Sequence, residues 1–151
     1  MIHTDKKRSL RRICVIDGQG GGIGSAIIKR LKDHFGEAVE IIALGTNAIA
    51  TAQMLKAKAN RGASGENAIV QTTGKVDIII GTVGIIVANA MMGEVTPKMA
   101  EAVATSPAKK LLIPLTQENI EIVGLPPTPL PHFIETLIQE NLKKIYDEVQ
   151  H

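Results

Sequence analysis

The segment Asp17-Gly18-Gln19-Gly20-Gly21-Gly22-Ile23-Gly24 gathers the residues best suited to holding an anion. It follows the apolar run Ile13-Cys14-Val15-Ile16. It precedes Ser25-Ala26-Ile27-Ile28-Lys29-Arg30-Leu31, a helical pattern. Strand, glycine turn and helix in that order bring a helix N-terminus to the turn, with its unpaired N–H groups and positive dipole. Glycine there lets a phosphate approach the backbone closely. The chemistry implied is recognition of a nucleotide or another phosphate ligand. Two roles stay open for the loop: a cradle for that ligand, or a turn that packs helix against strand. Five glycines between Gly18 and Gly24 cost much backbone entropy, and a tight turn alone needs fewer.

The spacing is selective. Gly-x-Gly-x-x-Gly fails at Ile23 when counted from Gly18 and Gly20, and at Ser25 when counted from Gly20 and Gly22. A P-loop is excluded because no Gly-Lys-Ser/Thr follows. What fits is Gly-x-x-x-Gly-x-Gly at Gly18, Gly22 and Gly24, with Ile23 between the last two. That spacing resembles the loop of the short-chain dehydrogenases, with Asp17 where that family usually has Thr. The resemblance covers the loop alone. Those enzymes use Tyr-x-x-x-Lys, and here the sole tyrosine, Tyr146, precedes Gln150 at that spacing.

Other candidates follow from the rule that ligands on parallel sheets bind beyond the carboxyl ends of the strands. The first strand offers Asp17 to Gly24. The second offers Gly45, Thr46 and Asn47, the third Gly81, Thr82 and Gly84, and the fourth Thr116 and Gln117. An NAD site usually carries an acid for the ribose about 20 residues past the glycines. That neighbourhood is Leu44-Gly45-Thr46-Asn47, while Glu37 and Glu40 lie at the wrong end of the strand. Thr46 and Asn47 can instead donate to a phosphate, which favours NADP or another nucleotide as cofactor; both can equally cap a helix. Arg61, alone among small residues, is a candidate phosphate fork or one half of a structural ion pair with Glu66. Asp17 either holds a ligand group or accepts loop N–H bonds and shapes the turn. Catalytic candidates are few. His3 and His151 are terminal, His34 ends a helix, and His132 opens the last one. No cluster has metal-ligand spacing, and no Ser sits in a nucleophile elbow.

The elements that must position these residues read as an α/β chain. Ile13–Ile16, Val39–Leu44, Val76–Ile80 and Leu111–Leu115 are predicted strands. Helices are expected from Ile23 to Gly36, from Asn47 to about Lys58, from Pro97 to Ser106 and from Pro131 to Val149. Asn60 to Asn67 reads as a loop, with Ser64 capping a short turn. Ile120–Val123 follows the fourth strand so closely that an antiparallel hairpin is expected at that edge. The architecture is therefore Rossmann-like: a mostly parallel sheet with that hairpin at its C-terminal edge. Residues 1–12 form a basic leader containing Lys6, Lys7, Arg8, Arg11 and Arg12, and residues 13–151 form the single domain.

Bulk properties narrow the partners. The chain has 151 residues, a net charge of +2 and only 2% aromatic residues. So mild a charge and so few rings argue against a polyanion and against stacked nucleic-acid bases. Cys14, the sole cysteine, lies mid-strand, which fits a reducing cytoplasm. The leader does not read as a signal peptide, and no segment reads as a membrane span. Ile85–Met92 reads as a short helix that is apolar on all sides except Asn89. Such a helix needs cover on every side, which predicts a homo-oligomer, most simply a homodimer.

Across roughly residues 13–125 the chain also resembles a short bacterial family known only as a domain of unknown function. The matching segments include the glycine loop, Ile42-Ala43-Leu44-Gly45-Thr46-Asn47-Ala48, Asn60-Arg61-Gly62-Ala63 and Gly65-Glu66-Asn67-Ala68. Gly93-Glu94-Val95-Thr96-Pro97-Lys98-Met99-Ala100, Ser106-Pro107-Ala108-Lys109-Lys110 and Asn119-Ile120-Glu121-Ile122-Val123-Gly124 complete them. That resemblance implies a Rossmann-like fold and no particular activity. The expected function is a nucleotide- or phosphate-binding or sensing module. The alternatives are a small NAD(P)-dependent oxidoreductase, or an assembly protein with a vestigial loop.

Overall fold

The computed structural model describes residues 11–115 and 117–150. Lys6, Lys7 and Arg8 of the leader, His3, His151 and the rim candidate Thr116 lie outside the described residues. Five strands, β1 (Arg12–Asp17), β2 (Glu40–Gly45), β3 (Arg61–Ser64), β4 (Ile78–Thr82) and β5 (Lys109–Ile113), form one sheet. Every pairing is parallel and the order is β3-β2-β1-β4-β5. The helices between them are α1 (Gly22–Phe35), α2 (Ala48–Lys56), α3 (Glu66–Thr72) and α4 (Pro97–Thr105). The last helix runs as α5 (Leu130–Thr136), a π-helical stretch (Leu137–Leu142) and α6 (Lys143–Gln150).

The central strands are continuous apolar runs because helices cover both of their faces. Alternate residues point to opposite sides. Ile13 and Val15 of β1 pack with Ile27, Ile28 and Leu31 of α1, and with Ile134, Ile138 and Leu142 of the last helix. Cys14 and Ile16 pack on the other side, with Ile69 of α3 and with Met99, Ala100 and Val103 of α4. Caps set the helix starts: Asn47 accepts the Ala50 N–H at 2.8 Å, and Thr96 accepts the Met99 N–H at 3.2 Å with Pro97 behind it. The chain lays β2 on one side of β1 and later β4 on the other. That reversal opens a crevice at the carboxyl ends of β1 and β4, where the glycine loop lies. Among the described residues no helix is long and apolar enough to cross a membrane.

Three expectations need correction. The antiparallel hairpin does not form: the sheet is wholly parallel, and Ile120–Val123 runs outside it with Val123 96% exposed. Pro114, which has no N–H to give a ladder, follows β5 directly and turns the chain off the sheet. The second correction is a strand inside the expected loop. Arg61–Ser64 pairs with Ile42–Gly45 of β2, and every residue of it is exposed. Small polar residues gave no apolar signal. Gly62 lets it approach α2, since a Cβ there would lie 2.9 Å from the Thr51 side chain. Ser64 caps nothing and instead meets the Thr51 hydroxyl at 2.7 Å, while α3 starts after Gly65.

The third correction is the helix expected at Ile85–Met92. A short 3-10 turn, Val83–Ile86, is followed by consecutive tight turns to Glu94. Asn89, Met91 and Met92 have φ of 68°, 58° and 58°, and Gly93 has 88°, all left-handed. Ile85 and Ala90 point into the core while Met92 is 95% exposed. The all-round apolar helix that argued for a homodimer is therefore absent.

Two substitutions separate the interior from the corrected edge. Ile80→Ala in β4 should lower unfolding stability by about 2–5 kcal/mol. Ile122→Thr should change it by less than about 0.5 kcal/mol, because it leaves no sheet position. Urea unfolding reads both, and a core-sized loss at Ile122 would restore the hairpin.

Candidate functional site

Asp17 ends β1, and its side chain is only 6% exposed. Its Oδ1 accepts the Gly18 N–H at 2.8 Å, and its Oδ2 accepts the Gly24 N–H at 2.7 Å. Burial raises its pKa, and the neighbouring charge of Glu94 raises it further, against the pull of those two amides. Asp17 thus does the turn-shaping work that was one of its two expected roles, and it also lines the cleft described below.

The loop glycines divide by what surrounds them. A Cβ on Gly24 would lie 2.6 Å from the Met54 sulfur, and one on Gly21, at φ 76°, 2.8 Å from the Ala50 carbonyl oxygen. These two serve packing against α2. A Cβ on Gly20 or Gly22 would meet nothing within 4 Å. Among the described residues no hydrogen-bond acceptor meets either of their amides. The packing role that was one of two readings of the loop thus falls on Gly21 and Gly24, while Gly20 and Gly22 make no contact that a Cβ would disturb.

Beside the loop, at the carboxyl ends of β1 and β4, lies a cleft of about 280 Å³. Asp17, Gln19 and Ile23 line it from the loop, and Thr82 and Gly84 from the end of β4. Met91, Leu115, Gln117 and Glu118 close the far wall. The Glu118 carboxylate accepts the Met91 N–H at 2.8 Å and so ties that wall to the turns after β4.

The residue that sequence reasoning missed is Glu94. The left-handed turns at Met91, Met92 and Gly93 aim its side chain back across the loop. Its Oε1 accepts the Gln19 N–H at 2.8 Å, the Thr46 hydroxyl at 2.7 Å and the Asn47 amide at 2.8 Å. Partial burial works against its charge, yet these three bonds together hold its carboxyl below the ordinary glutamate range. The Met91 sulfur lies over Gly18, 2.7 Å from where a Cβ would stand. Local sequence marks Glu94 only by its place between Gly93 and the Thr96-Pro97 helix start.

This arrangement changes the reading of Thr46 and Asn47. The single Thr46 hydroxyl proton goes to Glu94. Asn47 gives one amide bond to Glu94 and another, at 3.1 Å, to the Gln19 carbonyl. Neither side chain keeps a donor for a phosphate, and a carboxylate reaches the end of β2 from Glu94. The ground for preferring NADP therefore falls away.

Arg61 does not join the site either. It opens β3 at the amino end of the sheet, where its Nε and terminal nitrogen reach Glu40, not Glu66, at 3.1 and 2.5 Å. A larger groove of about 590 Å³ lies there, lined by Arg11, Arg12, Arg61 and Lys75 and also by Glu37, Glu40 and Asp77. There Arg61 pairs with Glu40 and Asp77 accepts the Arg12 N–H, and the glycine loop is at the opposite end of the strands. Tyr146 packs on Phe35 close to Asp77, and burial pushes its pKa up to about 12. Cys14 is fully buried, which raises its thiol pKa far above the reactive range. Among the described residues no group of His, Cys, Asp and Glu could hold a metal ion.

Residues 12–146 match the family model described as a domain of unknown function (DUF3842), and the chain belongs to that family. No match is found among curated proteins or solved structures.

Asp17→Asn leaves one oxygen for two amides and sets an NH2 against the other, so stability should fall by about 1–3 kcal/mol. Unchanged urea unfolding would remove Asp17 from its place at the turn. The pH dependence has two signs. The stability contributed by Glu94 is complete above the ordinary glutamate pKa, about 4.3, and is lost as pH falls through its lowered folded value. Asp17 acts oppositely: its raised pKa favours the folded state at low pH, and that gain is lost as pH rises through its folded value. Glu94→Gln should therefore be less stable than the parent at neutral pH, and the gap should close below about pH 4. A gap independent of pH would show that the charge of Glu94 contributes nothing.

Proposed function

We propose that this member of the family binds a nucleotide or a related phosphate ligand at the switch point of its sheet, as a binding or sensing module. One observation carries the reading. Gly20 and Gly22 are exposed at the head of α1, where a Cβ on either would meet nothing within 4 Å and no described residue accepts their N–H, and their neighbours Gln19 and Ile23 line the cleft of about 280 Å³. A phosphate in that space accepts their N–H bonds and meets the positive end of the helix dipole. The cleft takes the body of the ligand, with Ile23, Met91 and Leu115 as apolar wall and Thr82 and Gln117 as polar contacts. Its volume lies just below the range of small-molecule sites, about 300–1,000 Å³, and suits a mononucleotide better than a dinucleotide.

Binding is favoured over catalysis because the acid–base groups of a dehydrogenase are not at the cleft. Tyr146 is at the opposite end of the sheet, and His34 and His132 belong to α1 and the last helix, outside the cleft lining.

A native-state ligand at a hundred times its Kd adds about 2.7 kcal/mol, which raises the melting midpoint of a domain this size by roughly 5 °C or more. A thermal-shift panel of adenine and guanine mononucleotides, NAD, NADP and inorganic phosphate should contain such a ligand. Gly22→Val should melt within about 2 °C of the parent, since its side chain enters open space. It should also lose the ligand shift, because that space is where the phosphate sits. Undiminished affinity in titration calorimetry would defeat the proposal.

A further inference from the structure

The carboxylate that a ribose needs at the end of β2 comes, in this chain, from a distant turn. Sites of this architecture ordinarily place an acid near the end of the second strand, where it accepts the ribose hydroxyls. Gly45, Thr46 and Asn47 provide none, and Glu94 fills the position. Its Oε1 is fixed by Gln19, Thr46 and Asn47, while its Oε2 takes no bond from any described residue. A carboxylate held by one oxygen, with the other free, is set to accept from hydroxyl groups.

The same bonds decide against a phosphate. The side-chain donors of Thr46 and Asn47 are already directed to Glu94 or, in the second Asn47 bond, to the loop carbonyl. A second anion would meet the negative charge of Glu94, with Asp17 close behind it. The left-handed Asn89, Met91 and Met92 cost of order 1–3 kcal/mol each, and strain of that kind persists where its surroundings fix it in place.

We propose that Glu94 determines the ligand class of this site: a nucleotide whose ribose hydroxyls are free beside β2, rather than one carrying a phosphate there. The proposal rests on the nucleotide reading above. A ligand reaching from the cleft to Glu94 passes Met91, whose unbranched thioether chain re-packs readily.

Removing the carboxylate should erase the preference. Without it, the Gln19 N–H, the Thr46 hydroxyl and the Asn47 amide become an empty three-donor anion cradle. The test is titration calorimetry with 5′-AMP and adenosine 2′,5′-bisphosphate, which differ only in the 2′-phosphate. The parent protein should bind 5′-AMP more tightly by about tenfold or more. In Glu94→Ala that ratio should fall by at least about tenfold, chiefly through tighter binding of the bisphosphate. Glu94→Gln keeps the size of the side chain and tests the charge if the alanine variant fails to fold; it should move the ratio the same way. Equal binding of the two ligands by the parent, tighter binding of the bisphosphate, or a ratio unmoved in the folded variants would overturn this proposal alone. Binding of neither ligand by the parent would overturn the nucleotide reading and this proposal with it.

Discussion

One buried carboxylate closes the turn on which the rest of the site depends. Asp17 accepts the amides of Gly18 and Gly24, and so joins the end of the central strand to the first turn of α1. Everything at the carboxyl edge is placed from that junction. β2 and β4 flank β1, the helix begins at Gly22, and Gly24 presses on Met54 of α2. The cost of the arrangement shows in the raised pKa of Asp17. A buried charge is tolerated because two N–H groups pair with it.

The loop has more backbone N–H groups than Asp17 uses, and one of them serves a second carboxylate. Gly18 and Gly24 serve Asp17, and Gln19 serves Glu94. Gly20 and Gly22 are left open. The two carboxylates are opposed in their electrostatics: burial raises Asp17, while hydrogen bonds lower Glu94. Glu94, partly open to water and held by three donors, lies next to the more deeply buried Asp17, held by two amides.

The two ends of the sheet differ in kind. The carboxyl end has a small cleft whose polar groups converge on the glycine loop. The amino end has a wider groove in which Arg61 meets Glu40 and the Arg12 amide meets Asp77. Charge density alone would point to the wider groove. Exposed ion pairs such as Arg61–Glu40, however, contribute little.

What the sequence determined by itself was local. The 3.6-residue pattern of α1, the capping Asn47, the Thr96-Pro97 start and the buried runs of β1, β2 and β4 follow from side-chain periodicity and turn chemistry within a few residues. So does the strand–glycine–helix junction that marks the site. Only tertiary structure decided the rest. β3 is a strand because β2 offers it a partner, although Arg61-Gly62-Ala63-Ser64 has no apolar pattern of its own. Ile120–Val123 has a strand's composition and no strand to join, since Pro114 turns the chain away from the edge. Glu94 meets Gln19 across 75 residues of sequence, through a left-handed turn that no periodicity encodes. A hydrogen bond between distant residues depends on the whole intervening fold, so its partners carry no mark in the chain.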